Sequence, residues 1–197
     1  MKRIVILFLL AVFLCPTIAQ SRELSILCYG DSLLSGYKLT DDENFAVILE
    51  EKLNNNGIEA KVINQSVVGQ TSGGGLKNID KILDSHHYQL VILQFGGNDV
   101  YRGVATSMVE NNLQQMINKI ITRGGRVLLV GNRSPSLKGI YKNLANRNRL
   151  ILYPHILLGI SGKKHLTLGD RIHPNADGVV VMVNNITPFV KKSLHRR

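Results

Sequence analysis

Short, almost continuous apolar runs alternate along this chain with longer segments in which apolar residues recur every three or four positions. The first pattern is typical of strands buried on both faces, and the second of amphipathic helices. Predicted strands cover residues 24–29, 61–64, 90–94, 127–130 and 150–153, and predicted helices cover 45–53, 76–83, 108–121, 138–148 and 174–194. This alternation predicts an α/β domain with three α/β/α layers around a flavodoxin-like, five-stranded parallel sheet.

Capping and breaking residues mark the predicted boundaries. Asp41 or Asp42 is the expected cap of the first long helix, and Pro174 is the expected first residue of the last one. The Ser- and Gly-rich stretch 65–75 is expected to be a loop. Because proline removes a backbone donor, Pro188 is expected to kink or break the final helix.

The N-terminus has the layout of a secretory signal peptide. Met1-Lys2-Arg3 is a short basic segment, residues 4–14 are apolar, and Thr17-Ile18-Ala19 is a cleavage site. The apolar run is shorter than the roughly 20 residues that cross a bilayer. We therefore expect a signal peptide at 1–19, a mature domain at 20–197, secretion across the inner membrane and a periplasmic location.

The chain has 197 residues and a formal net charge of +10, with 6% aromatic residues. The positive charge is scattered, whereas nucleic-acid binders show basic stripes interleaved with aromatic residues. We therefore expect no nucleic-acid partner and at most weak association with an anionic membrane surface. The protein is also expected to be a monomer. Nothing in the sequence has the spacing of metal ligands, so neither a metal nor a cofactor is expected.

The unusual polar clusters of this sequence follow four of the predicted strands. Ser32 follows the first strand, Gly69 the second, Asn98 the third, and Asp170 with His173 the last. In an open parallel sheet the ligand site lies beyond the carboxyl ends of the strands. These clusters are therefore predicted to converge on one edge of the sheet.

The residue types at this edge fit nucleophilic catalysis. A serine hydroxyl needs a base such as His173, and the imidazole needs an orienting carboxylate such as Asp170. The N–H groups of Ser32 and Gly69 and the Asn98 amide are candidate donors to a developing oxyanion. Each feature also has a plainer interpretation, because serine caps helices, histidine before proline occurs in turns, and Asn98 could begin a helix.

With these residues in view, the chain resembles the SGNH/GDSL hydrolase family. Residues 30–33 (GDSL), Gly69, residues 96–99 (GGND) and residues 170–174 (DRIHP) look like four of its sequence blocks, in the same order. The match covers nearly the whole predicted mature chain. It is closest to the bacterial periplasmic acyl-CoA thioesterase, lysophospholipase and arylesterase subgroup.

This resemblance implies a serine esterase without a cofactor, in the SGNH hydrolase fold. It implies Ser32 as nucleophile, Asp170 and His173 as the rest of the triad, and an oxyanion hole from Ser32, Gly69 and Asn98. The expected substrates are small acyl thioesters, aryl esters or lysophospholipids. The implied acyl-chain site includes Val100, Tyr101 and Val104.

Two departures from the family pattern leave the shape and charge of the substrate pocket open. The segment 135–170 is shorter and more basic than in this subgroup, and Arg171 stands where a small residue is usual. Three alternatives stay open at this point: a carbohydrate O-acetyl esterase, a non-catalytic binding module, and a basic protein that binds anionic surfaces.

Overall fold

The computed structural model describes residues 23–195, and the predicted signal peptide lies outside them. Five parallel strands form one sheet in the order β2-β1-β3-β4-β5, which is the flavodoxin-like order. The strands are β1 Leu24–Gly30, β2 Ala60–Asn64, β3 Leu90–Gln94, β4 Arg126–Val130 and β5 Ile151–Tyr153. This arrangement confirms the predicted sheet.

Seven α-helices occur among residues 23–195. They are α1 Ser32–Ser35, α2 Phe45–Asn54, α3 Ser72–Ser85, α4 Gly97–Tyr101, α5 Thr106–Thr122, α6 Pro135–Arg147 and α7 Ala176–His195. Short 3-10 turns lie at Asp41–Glu43 and Lys164–Leu166. None of the helices in this part of the chain combines the length and the apolar character needed to cross a membrane.

The sheet is buried on both faces because its strand residues are apolar in both orientations. In β1, Ile26 and Cys28 pack towards α2 and α7, whereas Leu27 and Tyr29 pack towards α3, α5 and α6. All four side chains have no solvent exposure. The three-layer α/β/α prediction is therefore confirmed, and burial raises the pKa of the Cys28 thiol, as expected for a cysteine that packs like an apolar residue.

The first long helix has a different cap from the one predicted. The side chain of Asn44 accepts hydrogen bonds from the N–H groups of Ala46, at 3.0 Å, and Val47, at 3.2 Å. Asp41 and Asp42 belong instead to a separate 3-10 turn before α2. The prediction was wrong by a few residues because Asp and Asn cap helices equally well.

The stretch expected to be a loop up to residue 75 contains the first turn of α3. Thr71 caps this helix by accepting a hydrogen bond from the Gly74 N–H at 3.2 Å. Glycines disfavour a helix, but a Cβ atom on Gly75 would lie 2.6 Å from Cζ of Phe95. Packing of the helix against the ring of Phe95 therefore overrides local propensity here.

The final helix begins later than predicted and passes through its proline. Asn175 caps α7 by accepting a hydrogen bond from the Gly178 N–H at 2.9 Å, while Pro174 lies in an antiparallel bridge with Thr167. The helix continues beyond Pro188 to His195. The expected break is therefore absent from this part of the chain.

We predict that Gly178→Ala destabilises the fold, whereas Gly139→Ala stabilises it. A Cβ on Gly178 would lie 2.1 Å from the backbone oxygen of Leu166, but one on Gly139 in α6 meets no atom within 4 Å. We expect a loss of about 2 kcal/mol from overpacking in the first variant and a gain of about 1 kcal/mol from helix propensity in the second. Urea unfolding of both variants measures these changes, and equal shifts would contradict the close contact at Gly178.

Candidate active site

Ser32 lies at the point where β1 ends and α1 begins. Asp31 caps this helix by accepting a hydrogen bond from the Leu33 N–H at 3.0 Å. Because Ser32 occupies the first helical position, its N–H has no partner within the helix. Nor does any group in residues 23–195 accept a hydrogen bond from it. The local fold thus presents a hydroxyl and a free N–H from the same residue.

A continuous hydrogen-bond chain links the three predicted triad residues. Ser32 Oγ lies 2.8 Å from His173 Nε2, and His173 Nδ1 lies 2.7 Å from Asp170 Oδ2. The other carboxylate oxygen of Asp170 accepts hydrogen bonds from the N–H groups of Ile172, at 2.9 Å, and His173, at 3.0 Å. The structure therefore brings these three side chains together in the predicted order.

The charge on Asp170 determines which ring nitrogen of His173 carries the proton. Burial would raise the pKa of Asp170, but the hydrogen bonds from the Ile172 N–H and from the ring and N–H of His173 outweigh it and lower the pKa to about 2. An ionised carboxylate can only accept, so Nδ1 must donate to it. In the neutral imidazole Nε2 is then free to accept the proton of the Ser32 hydroxyl.

Asp170 and His173 sit on a tight hairpin in front of α7. The Leu168 N–H donates to the His173 carbonyl at 2.8 Å, and the Asn175 N–H donates to the Leu166 carbonyl at 3.1 Å. At the tip of the hairpin Arg171 has a left-handed backbone with φ +58. This conformation costs a residue other than glycine roughly 1 kcal/mol or more, so the turn is held by the contacts around it.

Two of the candidate oxyanion donors, Gly69 and Asn98, are connected through one turn. Gly69 has φ +74 in the turn closed by the Gln70 N–H and the Val67 carbonyl. The Asn98 side-chain amide donates to the Gln70 carbonyl at 3.0 Å, and the Arg102 guanidinium donates to the Gly69 carbonyl at 3.0 Å. Within residues 23–195 the Gly69 N–H donates no hydrogen bond. Both Gly69 and Ser32 therefore keep an unused backbone donor.

A cleft of about 500 Å³ opens beside Ser32, Asn98 and His173. Among the predicted acyl-site residues, Tyr101 lines this cleft and is 89% exposed. Val100 lies outside the lining, as does Val104, which packs against the core under α3 and α5. The other apolar side chains of the lining are Leu33, Leu157 and Ile172.

A buried carboxyl supports the strand end that carries the serine. Asp31 is only 2% exposed, and its second oxygen accepts a hydrogen bond from the Gln94 side chain at 3.2 Å. Burial raises the pKa of Asp31 to about 6, although the hydrogen bonds from Leu33 and Gln94 partly offset this. The Asp31 N–H also donates to the Gln94 side-chain oxygen, at 3.4 Å. This pair fixes the end of β1 against the end of β3.

Several residues of the site were not predicted from the sequence. The ring of Tyr37 packs 4.5 Å from the ring of His173, between centroids, and Gln94 supports Asp31. Asn132, Arg133 and Ser161 also line the cleft. Asn132 and Arg133 follow β4 closely, so the strand-end rule that located the other polar clusters would have found them. Tyr37 carries no comparable signal, since its contact depends on the tertiary fold.

A serine, histidine and aspartate in this geometry, beyond the carboxyl ends of a parallel sheet, define the class of serine hydrolases. Comparisons with known proteins identify the family within that class. Residues 28–181 match the GDSL-like lipase/acylhydrolase family, and the chain belongs to it. It is accordingly a serine esterase of the GDSL type, in agreement with the resemblance seen in the sequence.

Similar proteins cover nearly the whole chain. The arylesterase of Vibrio mimicus is 30% identical over 85% of this chain and 88% of its own length. Thioesterase 1/protease 1/lysophospholipase L1 of Escherichia coli strain K12 is 30% identical over 86% of this chain and 84% of its own. The crystal structure of TesA superimposes with a TM-score of 0.82 at 29% identity, covering 85% of this chain and 98% of that one.

We predict that Asp31→Asn changes the pH dependence of stability. With a pKa raised to about 6 in the folded state, ionisation of Asp31 at neutral pH costs the folded state roughly 3 kcal/mol relative to the unfolded chain. This cost is absent below about pH 4, where the carboxyl is protonated in both states, and is complete above about pH 6. The variant does not incur it.

The stability of Asp31→Asn relative to the unmodified protein should therefore rise by roughly 3 kcal/mol between about pH 4 and pH 7. Urea unfolding of both proteins across this range measures the difference. A difference that does not vary with pH would contradict a buried, proton-binding carboxyl at this position.

Proposed function

We propose that this protein is a secreted serine esterase that hydrolyses acyl ester or thioester bonds through an acyl-enzyme on Ser32. The observation that carries the proposal is the hydrogen-bond chain from Ser32 through His173 to Asp170, at the wall of an open cleft. Secretion is supported by the basic and apolar N-terminal segment and its small-residue cleavage site at 17–19.

In the first half of the reaction His173 Nε2 takes the proton of the Ser32 hydroxyl while Ser32 Oγ attacks the acyl carbon. Asp170 stabilises the resulting imidazolium, since the carboxylate stays ionised at neutral pH. When the tetrahedral intermediate collapses, His173 returns the proton to the departing alcohol or thiol. The acyl group then remains on Ser32 as an ester.

In the second half a water molecule replaces the alcohol or thiol. His173 takes a proton from the water as the water oxygen attacks the acyl carbon of the acyl-enzyme. It returns that proton to Ser32 Oγ when the carboxylic acid departs. The unused N–H groups of Ser32 and Gly69, with the Asn98 amide, are the proposed oxyanion donors. One such donor is worth about 3–4 kcal/mol in a well-studied protease.

The cleft favours acyl groups longer than acetyl. Its volume of about 500 Å³ falls within the range of small-molecule sites, and Leu33, Tyr101, Leu157 and Ile172 give it an apolar wall. Relatives named for arylesterase, thioesterase and lysophospholipase activities agree with this choice. We therefore propose aryl esters, acyl thioesters or lysophospholipids as the substrates.

A carbohydrate O-acetyl esterase is the second candidate. The observation in its favour is the polar part of the lining, where Asn132 and Ser161 offer hydrogen-bonding side chains to a sugar. Acyl-chain preference separates the two functions. Activity that peaks at acetyl supports the carbohydrate enzyme, and activity that rises towards medium chains supports the lipid or aryl enzyme.

We predict that Ser32→Ala lowers esterase activity by on the order of 10⁴-fold, because the nucleophile is lost. The assay is hydrolysis of 4-nitrophenyl esters from acetyl to palmitoyl by the protein from Gln20 onward. Ser35→Ala is the matched control, since Ser35 lies in the same helix and its hydroxyl donates only a long bond, 3.4 Å, to the Ser32 carbonyl.

We expect the control to keep nearly full activity. An active Ser32→Ala variant would contradict the acyl-enzyme. A folded, unmodified protein that hydrolyses none of the esters would favour the non-catalytic binding module instead.

A further inference from the structure

Two arginines without partners line the cleft beside the triad. Arg133 follows β4, and Arg171 stands at the tip of the hairpin before α7. Both are exposed, and within residues 23–195 neither forms an ion pair or a side-chain hydrogen bond. Each guanidinium thus keeps all of its N–H donors available to a bound molecule.

The negative charges of the cleft are already engaged. Asp31 is almost fully buried and accepts from Leu33 and Gln94. Both oxygens of Asp170 accept hydrogen bonds from its own hairpin. The charged groups still available to a ligand in this cleft are therefore cationic.

The turn at Arg171 provides a second observation. Its left-handed backbone, φ +58, is one that glycine adopts without strain. An arginine here therefore brings no conformational advantage to the hairpin, and its guanidinium forms no hydrogen bond or ion pair with the described residues 23–195 that would offset the strain. What the side chain does supply is a positive charge in the lining of the cleft.

We propose that Arg133 and Arg171 bind an anionic group of the ester substrate and make the enzyme selective for anionic esters. A planar guanidinium can bind the paired oxygens of a phosphate or a carboxylate, so these two groups share the required chemistry. The inference rests on the proposed function, in which Ser32 attacks an ester held in the same cleft.

Two matched pairs of substrates distinguish the source of the anion. 1-Octanoylglycerol and 1-octanoylglycerol 3-phosphate differ by a phosphate on the leaving alcohol. 4-Nitrophenyl hexanoate and mono-4-nitrophenyl adipate differ by a carboxylate on the acyl chain. The measured quantity is the ratio of kcat/KM for the anionic ester to kcat/KM for its neutral counterpart.

We expect Arg133→Gln and Arg171→Gln each to lower this ratio on the order of 10-fold for at least one pair, mainly through KM, because a hydrogen-bonded ion pair is lost. The pair that responds identifies the anion. Arg149→Gln is the matched control. It removes an exposed arginine with a similar backbone, φ +53. Arg149 lies just before β5, at the amino ends of the strands and away from the cleft, so the ratios of this variant should stay unchanged.

The proposal would be overturned if all three variants kept the kcat/KM ratios of the unmodified protein for both pairs of substrates. Hydrolysis of the neutral esters would then still support the esterase. Calorimetric titration of Ser32→Ala with glycerol 3-phosphate and with adipate tests binding without turnover. Weaker binding of either anion after Arg133→Gln and Arg171→Gln is expected. If the arginine substitutions affect the binding of neither anion, the proposal fails even if no ester is ever hydrolysed.

Discussion

The hydrogen bond between Ser32 and His173 joins two residues that lie 141 positions apart in the sequence. A serine hydroxyl is a weak nucleophile without a base within reach, so the proposed chemistry depends on keeping this distance at 2.8 Å. Two separate supports achieve this. One holds the end of β1, and the other holds the hairpin before α7.

The first support is a buried polar pair, and the second is a set of backbone contacts. Asp31 and Gln94 tie the serine turn to the end of the neighbouring strand β3. The hairpin is closed by its own backbone hydrogen bonds and rests on α7 through the close approach of Gly178 to the Leu166 carbonyl. Both supports carry a local cost, because Asp31 is a buried carboxyl and Arg171 has a left-handed backbone.

Most of the fold could be predicted because it depends on patterns that are local in sequence. Strands buried on both faces give nearly continuous apolar runs, and a parallel sheet collects the residues after its strands on one edge. The same rule predicts that Ser32, Asn98 and His173 lie together, and all three line one cleft. It required no knowledge of side-chain packing.

The features that sequence reasoning missed depend on contacts between distant segments. Helix α3 begins in a run of glycines because Gly75 must pack against Phe95. The position of Tyr37 beside His173 and the absence of Val100 and Val104 from the cleft lining depend in the same way on contacts between segments that are distant in the sequence. Glycine propensity and family resemblance carry no information about such approaches.

The groups proposed to act in catalysis and the rest of the cleft wall come from different loops, except at the hairpin before α7. The segments after β1, β2 and β3 supply the proposed nucleophile and the candidate oxyanion donors, whereas the segments after β4 and β5 supply most of the remaining cleft wall. Changes after β4 can therefore alter the pocket without touching the hydrogen-bond chain. The hairpin is different, because Arg171 stands between Asp170 and His173 in a single turn. The proposed anion selectivity and the orientation of the imidazole therefore depend on the same turn, because Arg171 and the Asp170 carboxylate that accepts from His173 are adjacent in it.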